Sequence, residues 1–344
     1  MSVVAADSKR IAELFKQFFD PSAALQYYLH VVYPHGFVCP EHQRVCTIVQ
    51  RTEGRYAFQC AERRHQLSIF TGSTLKACHL KLHEILLIFL CYYIHLSICK
   101  SSLIIGVSRQ TISAFYSICN SALSSYACDH FQPIGGSGVI VQIDECLLRR
   151  RKYQKGKSKK QIWLFGGVES TPEGKLGRLF ICRVRNRKKE TLIPIIQQNI
   201  LKGSMIWSDE WSAYACLPSF GYLHESVNHS VQFKNPDTGC CTNGIESVWS
   251  QFRSFIPKCG IREKQINSVI GSFLGFKNIK LNFEDFIREV LHYSSDTEEQ
   301  VEDEEEDSIA SVPIITDLSD EENSDSDPLG LTEGLEEPEY ILTS

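Results

Sequence analysis

The stretch Val139-Ile140-Val141-Gln142-Ile143-Asp144-Glu145 decides how this chain is read. It follows the break Pro133-Ile134-Gly135-Gly136, and a short apolar run after such a break predicts a buried strand over 139–143 that ends on an acid. Two further β-like runs follow at 162–168 and 179–184, then a helix over 190–199 and a strand over 205–208 that ends on Asp209. A fifth run lies near 222–227. A helix carrying Glu246 extends to about residue 255, and further helical segments continue to about residue 293. Three strands, a helix, another strand and a closing helix predict an α/β layer fold over 137–293.

Three carboxylates sit at telling places in that pattern. Asp144 and Asp209 close strands, in Ile143-Asp144-Glu145 and Ser208-Asp209-Glu210, and Glu246 opens a helix. They are 65 and 37 residues apart along the chain. A strand end fixes a side chain at the rim of a sheet, where three converging acids hold two hard divalent cations, Mg²⁺ or Mn²⁺. That chemistry points to phosphoryl transfer. Period-two alternation sends Glu145 and Glu210 to the opposite faces, so Asp144, Asp209 and Glu246 are the expected ligands. Trp207, Trp211 and Trp249 are expected to pack the core around them.

The charge is divided along the chain. The net charge over 344 residues is −5, yet residues 296–344 hold 19 acids and no Lys or Arg, leaving residues 1–295 at +14. A basic body is the electrostatic footprint of a polyanion binder, though a solvated surface has the same net charge. The acidic tail, 294–344, has too few apolar residues for a core and is expected to be disordered. Within it, Val312-Pro313-Ile314-Ile315-Thr316-Asp317 with its acidic flank has the form of a β-adding peptide, similar to a SUMO-interacting motif. A solvating tail that masks the basic body is the other reading.

Residues 149–160 hold eight Lys or Arg in twelve positions, directly after the first acidic strand. Arg149, Arg150, Arg151, Lys152, Lys155 and Lys157 are therefore candidates for gripping a DNA backbone beside the acids, contacts that position without reading sequence. A solvated loop and a nuclear-localisation patch read from the same run.

Upstream, residues 1–32 form a helical lead-in, with Ile11, Leu14, Phe15 and Phe18 at helical spacing. Residues 33–75 are loop-rich. Their Cys39-x2-His42 and Cys60-x4-His65 pairs flank 17 residues, a layout compatible with tetrahedral Zn²⁺, with Cys46 a possible stand-in. Residues 76–130 look helical, and 101–113 read as helix, Gly-containing turn and helix, with Ser108 as a cap. That hairpin puts Arg109 and Gln110 where a recognition helix meets the major groove. The apolar run 85–98 falls short of the ~20 residues a bilayer needs, and a buried helix is expected. The 14 irregularly spaced cysteines suit a reducing compartment.

With these residues in view, the chain resembles the Merlin-type DDE transposases and their bacterial insertion-sequence relatives. The resemblance is carried by Ile143-Asp144-Glu145, Arg151-Lys152-Tyr153-Gln154-Lys155-Gly156-Lys157, Trp163-Leu164-Phe165-Gly166-Gly167-Val168-Glu169, Trp207-Ser208-Asp209-Glu210-Trp211-Ser212-Ala213-Tyr214, Val227-Asn228-His229-Ser230 and Ile245-Glu246-Ser247-Val248-Trp249, across roughly residues 35–280. It implies an RNase H-like catalytic core with a mixed sheet, preceded by a zinc-ribbon-like and helix-turn-helix DNA-binding region, with Asp144, Asp209 and Glu246 as the DDE ligands and a His at position 229 near them. Water would attack a phosphodiester at a transposon end, and the freed 3′ hydroxyl would attack target DNA. Terminal inverted repeats and target DNA would be the partners, bound by a homo-oligomer in a nucleus. The resemblance also implies a zinc ribbon with two Cys-x2-Cys pairs. Here His42 and Arg63 stand in cysteine positions and His65 comes two residues late, so either His65 substitutes or the metal is lost. A domesticated derivative that binds DNA without cutting, and a structure-specific nuclease of the same fold, are the competing readings.

Overall fold

Asp20-Pro21 splits the first helical run in two. Asp20 accepts the Ser22 amide at 2.9 Å and Pro21 opens the new helix, giving α1 (Val3–Phe19) and α2 (Pro21–Val32). The computed structural model describes residues 3–62, 64–76, 78–149, 161–227, 239–256 and 262–293. A small antiparallel sheet follows, β1 (Thr47–Thr52), β2 (Arg55–Gln59) and β3 (Gln66–Ser68). Phe58 of β2 stacks on Phe37 at 4.2 Å between ring centroids.

The 85–98 run is interrupted. α3 (Leu82–Tyr93) is buried around most of its circumference, and the chain then breaks at His95, whose φ is +59°. α4 (Ile98–Ile105) and α5 (Arg109–Asp129) form the helical hairpin. Gly106 takes φ +80° to end α4, a conformation in which a Cβ is strained, and Ser108 caps α5 by accepting the Thr111 amide at 3.2 Å. No helix among the described residues is long and apolar enough to cross a membrane.

After a two-residue strand, β4 (Ile134–Gly135), come β5 (Ile140–Arg149), β6 (Ile162–Ser170) and β7 (Leu176–Val184). α6 (Lys189–Asn199), β8 (Ile200–Leu201), β9 (Met205–Asp209) and β10 (Leu223–Val227) follow. β4 pairs with β8, and the remaining five form one mixed sheet in the order β10-β9-β5-β6-β7. β5, β6 and β7 are antiparallel, whereas β9 runs parallel to β5 and β10 parallel to β9. The expected α/β class is present. One expectation changes: β5 does not end on Asp144 but continues to Arg149, because Cys146, Leu147 and, past a bulge at Leu148, Arg149 keep pairing with β6.

α7 (Asn243–Phe255) and α8 (Ile266–Leu274) cover one face of this sheet, where Ile245, Val248, Trp249 and Phe252 meet Leu164, Val168 and Ile181. α6 covers the other, with Leu192, Ile193 and Ile196 on Val141, Ile143, Phe165 and Phe180. The alternation of β5 and β6 residues between these two cores is the physical origin of the layered fold.

The last helix, α9 (Phe283–His292), leaves the sheet. Its Phe283, Phe286, Ile287, Val290 and Leu291 enter the core built by α1, α2, α3 and α5. Arg288 Nε also donates to the Val31 carbonyl at 3.0 Å. The two halves meet along α5 and α8, where Gly271 lies so close to Ser124 that a Cβ would sit 2.1 Å from its Oγ.

Candidate active site

Asp144 lies in mid-strand on β5, opposite Gly166 of β6. The pairing of β5 with β9 runs from Ile140 to Gln142 and stops, so at Asp144 this edge of β5 is open. Asp209 is the last residue of β9. The carboxylates of Asp144, Glu145 and Asp209 each offer an oxygen, and these oxygens lie within 4.8 Å of one another.

Glu145 therefore departs from the expectation that alternation would remove it. The alternation itself holds: Trp249 Nε1, on the α7 face, donates to Asp144 Oδ2 at 3.0 Å, and the Tyr214 hydroxyl, on the α6 face, donates to Glu145 Oε1. A strand with neighbours on both sides would keep two such carboxylates apart. Here, among the described residues, no third strand pairs with residues 144 and 145, and both carboxylates come within 4.8 Å of that of Asp209. Glu210 is exposed and outside this trio.

Glu246 opens onto the same cleft without joining the tight trio. Its helix is pinned to β5 by Gln142, whose Oε1 accepts the Gly244 amide at 2.8 Å and the Ile245 amide at 3.2 Å. Asp144, Glu145, Glu246, Trp163, Trp249 and Arg253 line an open cleft of about 720 Å³. Gly166 is required here, because a Cβ would come within 2.8 Å of both the Phe180 carbonyl and the Trp249 ring.

Burial, above all, pushes Asp144 up to about 6 and Glu145 up to about 7, with their neighbouring acids adding to both shifts. The Trp249 and Tyr214 hydrogen bonds pull the other way. Tyr214, buried among these acids, is held protonated and so stays a donor. Hard oxygen donors crowded in a half-dry cleft fit a divalent cation, whose charge would offset the burial and the repulsion that raise these values.

Of the three tryptophans expected in the core, Trp207 and Trp249 are buried, but Trp211 is 39% exposed. It turns outward because its indole is used at the rim. Its backbone amide donates to Asp209 Oδ1 at 3.2 Å, its Nε1 donates to the Arg187 carbonyl at 3.2 Å, and its ring lies 4.8 Å from the Arg187 guanidinium. Trp163 lies 4.3 Å from the same guanidinium. Glu145, which alternation sends to the opposite face, joins the acidic cluster, and Arg187 stands at its rim without having been singled out by the sequence. A signal for the second existed in Arg183-Val184-Arg185-Asn186-Arg187-Lys188-Lys189, a second basic run.

Arg149 ends β5, paired with Ile162. Arg150, Arg151, Lys152, Lys155, Lys157 and His229 lie outside the described residues, as does the 312–317 peptide of the tail. Arg109 and Gln110 are exposed at the start of α5.

A second cluster sits on the small sheet. The ligand atoms of Cys39, His42, Cys60 and His65 all lie within 4.8 Å of one another. Cys39 Sγ is 3.5 Å from His42 Nδ1 and 3.6 Å from His65 Nε2, and Cys60 Sγ is 3.6 Å from His42 Nδ1. The two halves use like turns: Gln43 N donates to the Cys39 carbonyl and Arg64 N to the Cys60 carbonyl, each at 2.9 Å. Gln43 and Arg64 both take a left-handed φ, +52° and +53°. The late spacing of His65 is absorbed by this turn. Cys46 is buried beside them, its thiol pushed up by burial first and then by Cys39 and Cys60.

Comparison with known proteins bears on the same segment of the chain. Residues 135–259 match the family model of the ISXO2-like transposase domain, a span that encloses Asp144, Asp209 and Glu246. An uncharacterised transposase-like protein of Haemophilus influenzae is 26% identical over 81 residues, 24% of this chain. The chain spans 64% of the length of that relative. Residues 135–259 are thus similar to the ISXO2-like transposase domain, and a shorter stretch of the chain is similar to a transposase-like protein.

Proposed function

We propose that the protein is a DDE transposase that cuts DNA at transposon ends and joins the freed ends to target DNA. The observation that carries this reading is the convergence of Asp144, Glu145 and Asp209 at the open edge of β5, with Glu246 on the same cleft, inside a transposase-domain match. The order of β5 to β7 antiparallel, then β9 and β10 parallel, supports an RNase H-like core.

Asp144, Asp209 and Glu246 would hold two Mg²⁺ or Mn²⁺ ions, with Glu145 within reach of the first pair. Bound there, the cations supply charge for the attacking and leaving oxygens of the phosphodiester. The chain's own part is positioning. Trp249 fixes the rotamer of Asp144, Tyr214 that of Glu145, and Gln142 ties the first turn of α7 to β5 so that Glu246 faces the cleft. The basic residues 149–160 and the start of α5, with Arg109 and Gln110, would hold DNA.

Cys39, His42, Cys60 and His65 would bind Zn²⁺. Tetrahedral zinc with Zn–S of ~2.3 Å and Zn–N of ~2.0 Å implies an S···N edge of ~3.5 Å. The three S···N separations here are 3.5, 3.6 and 3.6 Å, which supports the metal. Terminal inverted repeats and target DNA would be the partners, engaged by at least two subunits in a nucleus, and the 312–317 peptide would offer a strand to a SUMO-like sheet edge.

The test is direct. The purified full chain is incubated with DNA carrying its candidate terminal repeats and Mn²⁺ or Mg²⁺, beside Asp144→Ala. Nicking by the unmutated protein and none by the variant is expected. Binding without nicking by the unmutated protein would sink the enzyme reading in favour of a DNA-binding derivative.

A further inference from the structure

Beside the acids, among the described residues, Arg187 has no carboxylate within ion-pair distance. Arg187 lies between β7 and α6, its guanidinium 4.3 Å from the centroid of Trp163 and 4.8 Å from that of Trp211. Among the described residues the guanidinium makes ring contacts but no hydrogen bond or ion pair. Arg183, in the same run, is by contrast paired with Glu263. An arginine contacted by indoles is fixed in orientation while its in-plane N–H groups stay open, the presentation a phosphate accepts in bidentate fashion.

The placement ties this fork to the cleft from two sides. Trp163 lines the cleft with Asp144 and Glu145, and Trp211 hydrogen-bonds Asp209. The positive charge of Arg187 also acts on Glu145. Arg185, Lys188 and Lys189 flank it, all exposed. A solvated basic surface needs neither indole. Two tryptophans that immobilise one unsatisfied guanidinium at the rim of an acidic cleft are a built arrangement for an anion.

We propose that Arg187 binds a DNA phosphate next to the acidic trio, with Arg185, Lys188 and Lys189 meeting the adjoining backbone. This deepens the phosphodiester-cutting reading and rests on it for the identity of the anion. The fork grips two non-bridging oxygens and so sets the angle at which the backbone enters the cleft, which a lysine at this position would not do.

The experiment uses the full chain, a short fluorescent duplex of generic sequence, and Ca²⁺ in place of Mg²⁺ or Mn²⁺. Affinity is measured against NaCl concentration for the unmutated protein, Arg187→Gln and Arg187→Lys, and Mn²⁺ binding is followed by electron paramagnetic resonance. Removing one phosphate contact is expected to lower the slope of log K against log[NaCl] by about 1 in Arg187→Gln. Arg187→Lys should keep the slope and bind several-fold more weakly, and both variants should bind Mn²⁺ as the unmutated protein does. An unchanged slope and affinity in Arg187→Gln would overturn the inference. So would loss of Mn²⁺ binding in parallel with DNA, which marks a merely structural arginine. An unmutated protein that shows the Arg187-dependent slope yet never nicks its repeats sinks the cutting reading and leaves the phosphate contact standing.

Discussion

Replacing Glu145 by Gln should make the metal-free protein more stable at pH 8. The carboxyl of Glu145 titrates at about 7 in the folded protein against an ordinary 4.5, chiefly because it is buried. The folded state thus binds the proton more tightly than the unfolded chain, and stability falls as pH rises from about 4.5 to about 7 and is flat above. At 1.36 kcal/mol per pKa unit, the charged carboxylate costs the fold about 3 kcal/mol at pH 8. Gln keeps the acceptor for Tyr214 and carries no charge. Its gain is therefore about 3 kcal/mol at pH 8, roughly 5 °C in Tm for a chain of this size, and under about 1 kcal/mol at pH 5. Thermal denaturation in EDTA at the two pH values measures both. A repeat with Mn²⁺ should reverse the order at pH 8, because the unmutated cluster gains more binding energy from the ion. A gain of equal size at both pH values would refute the reasoning, as would a variant less stable at pH 8.

Mn²⁺ affinity of the unmutated protein should fall as pH drops below about 7, since Asp144 at about 6 and Glu145 at about 7 must lose protons to bind; isothermal titration across pH 5.5–8 reads this, and a flat profile would contradict the assignment. Trp249→Phe removes the donor to Asp144 and leaves a small cavity in the core, so it should cost more than about 1 kcal/mol in urea denaturation and shift the onset of Mn²⁺ binding to higher pH. Gly166→Ala should destabilise by about 1–3 kcal/mol, because its Cβ meets the Phe180 carbonyl and Trp249 at 2.8 Å; retention of full stability would show that the strand can yield there. Purified full chain should contain one zinc per molecule, and His65→Ala should lose it together with several degrees of Tm, checked by atomic absorption and thermal melt.

The sheet was legible because its strands are apolar runs with breaks between them, and β6, α6 and β9 lie close to where the runs place them. Asp144 looked like a strand end only because two acids interrupt an apolar run, and the pairing of Cys146, Leu147 and Arg149 with β6 has no local trace. Glu145 was discarded by a rule that assumes a strand with neighbours on both sides. Whether β9 continues alongside β5 depends on register, which appears only when the strands meet. Arg187 and Trp163 escaped for the same reason: they come together through the pairing of Trp163 with Val184, across a turn whose length says nothing of it. The Cys/His cluster was half legible. Its spacing looked wrong until the left-handed Arg64 showed how the chain turns back.

The position of α9 has a consequence for how the protein is made. Five of its apolar side chains complete the core of α1, α2, α3 and α5, and Arg10 is paired with its Glu284. During synthesis that core stays open until residue 292 has left the ribosome, long after the N-terminal half has emerged. A nascent or truncated chain that stops before Phe283 therefore lacks the helix that closes its N-terminal half.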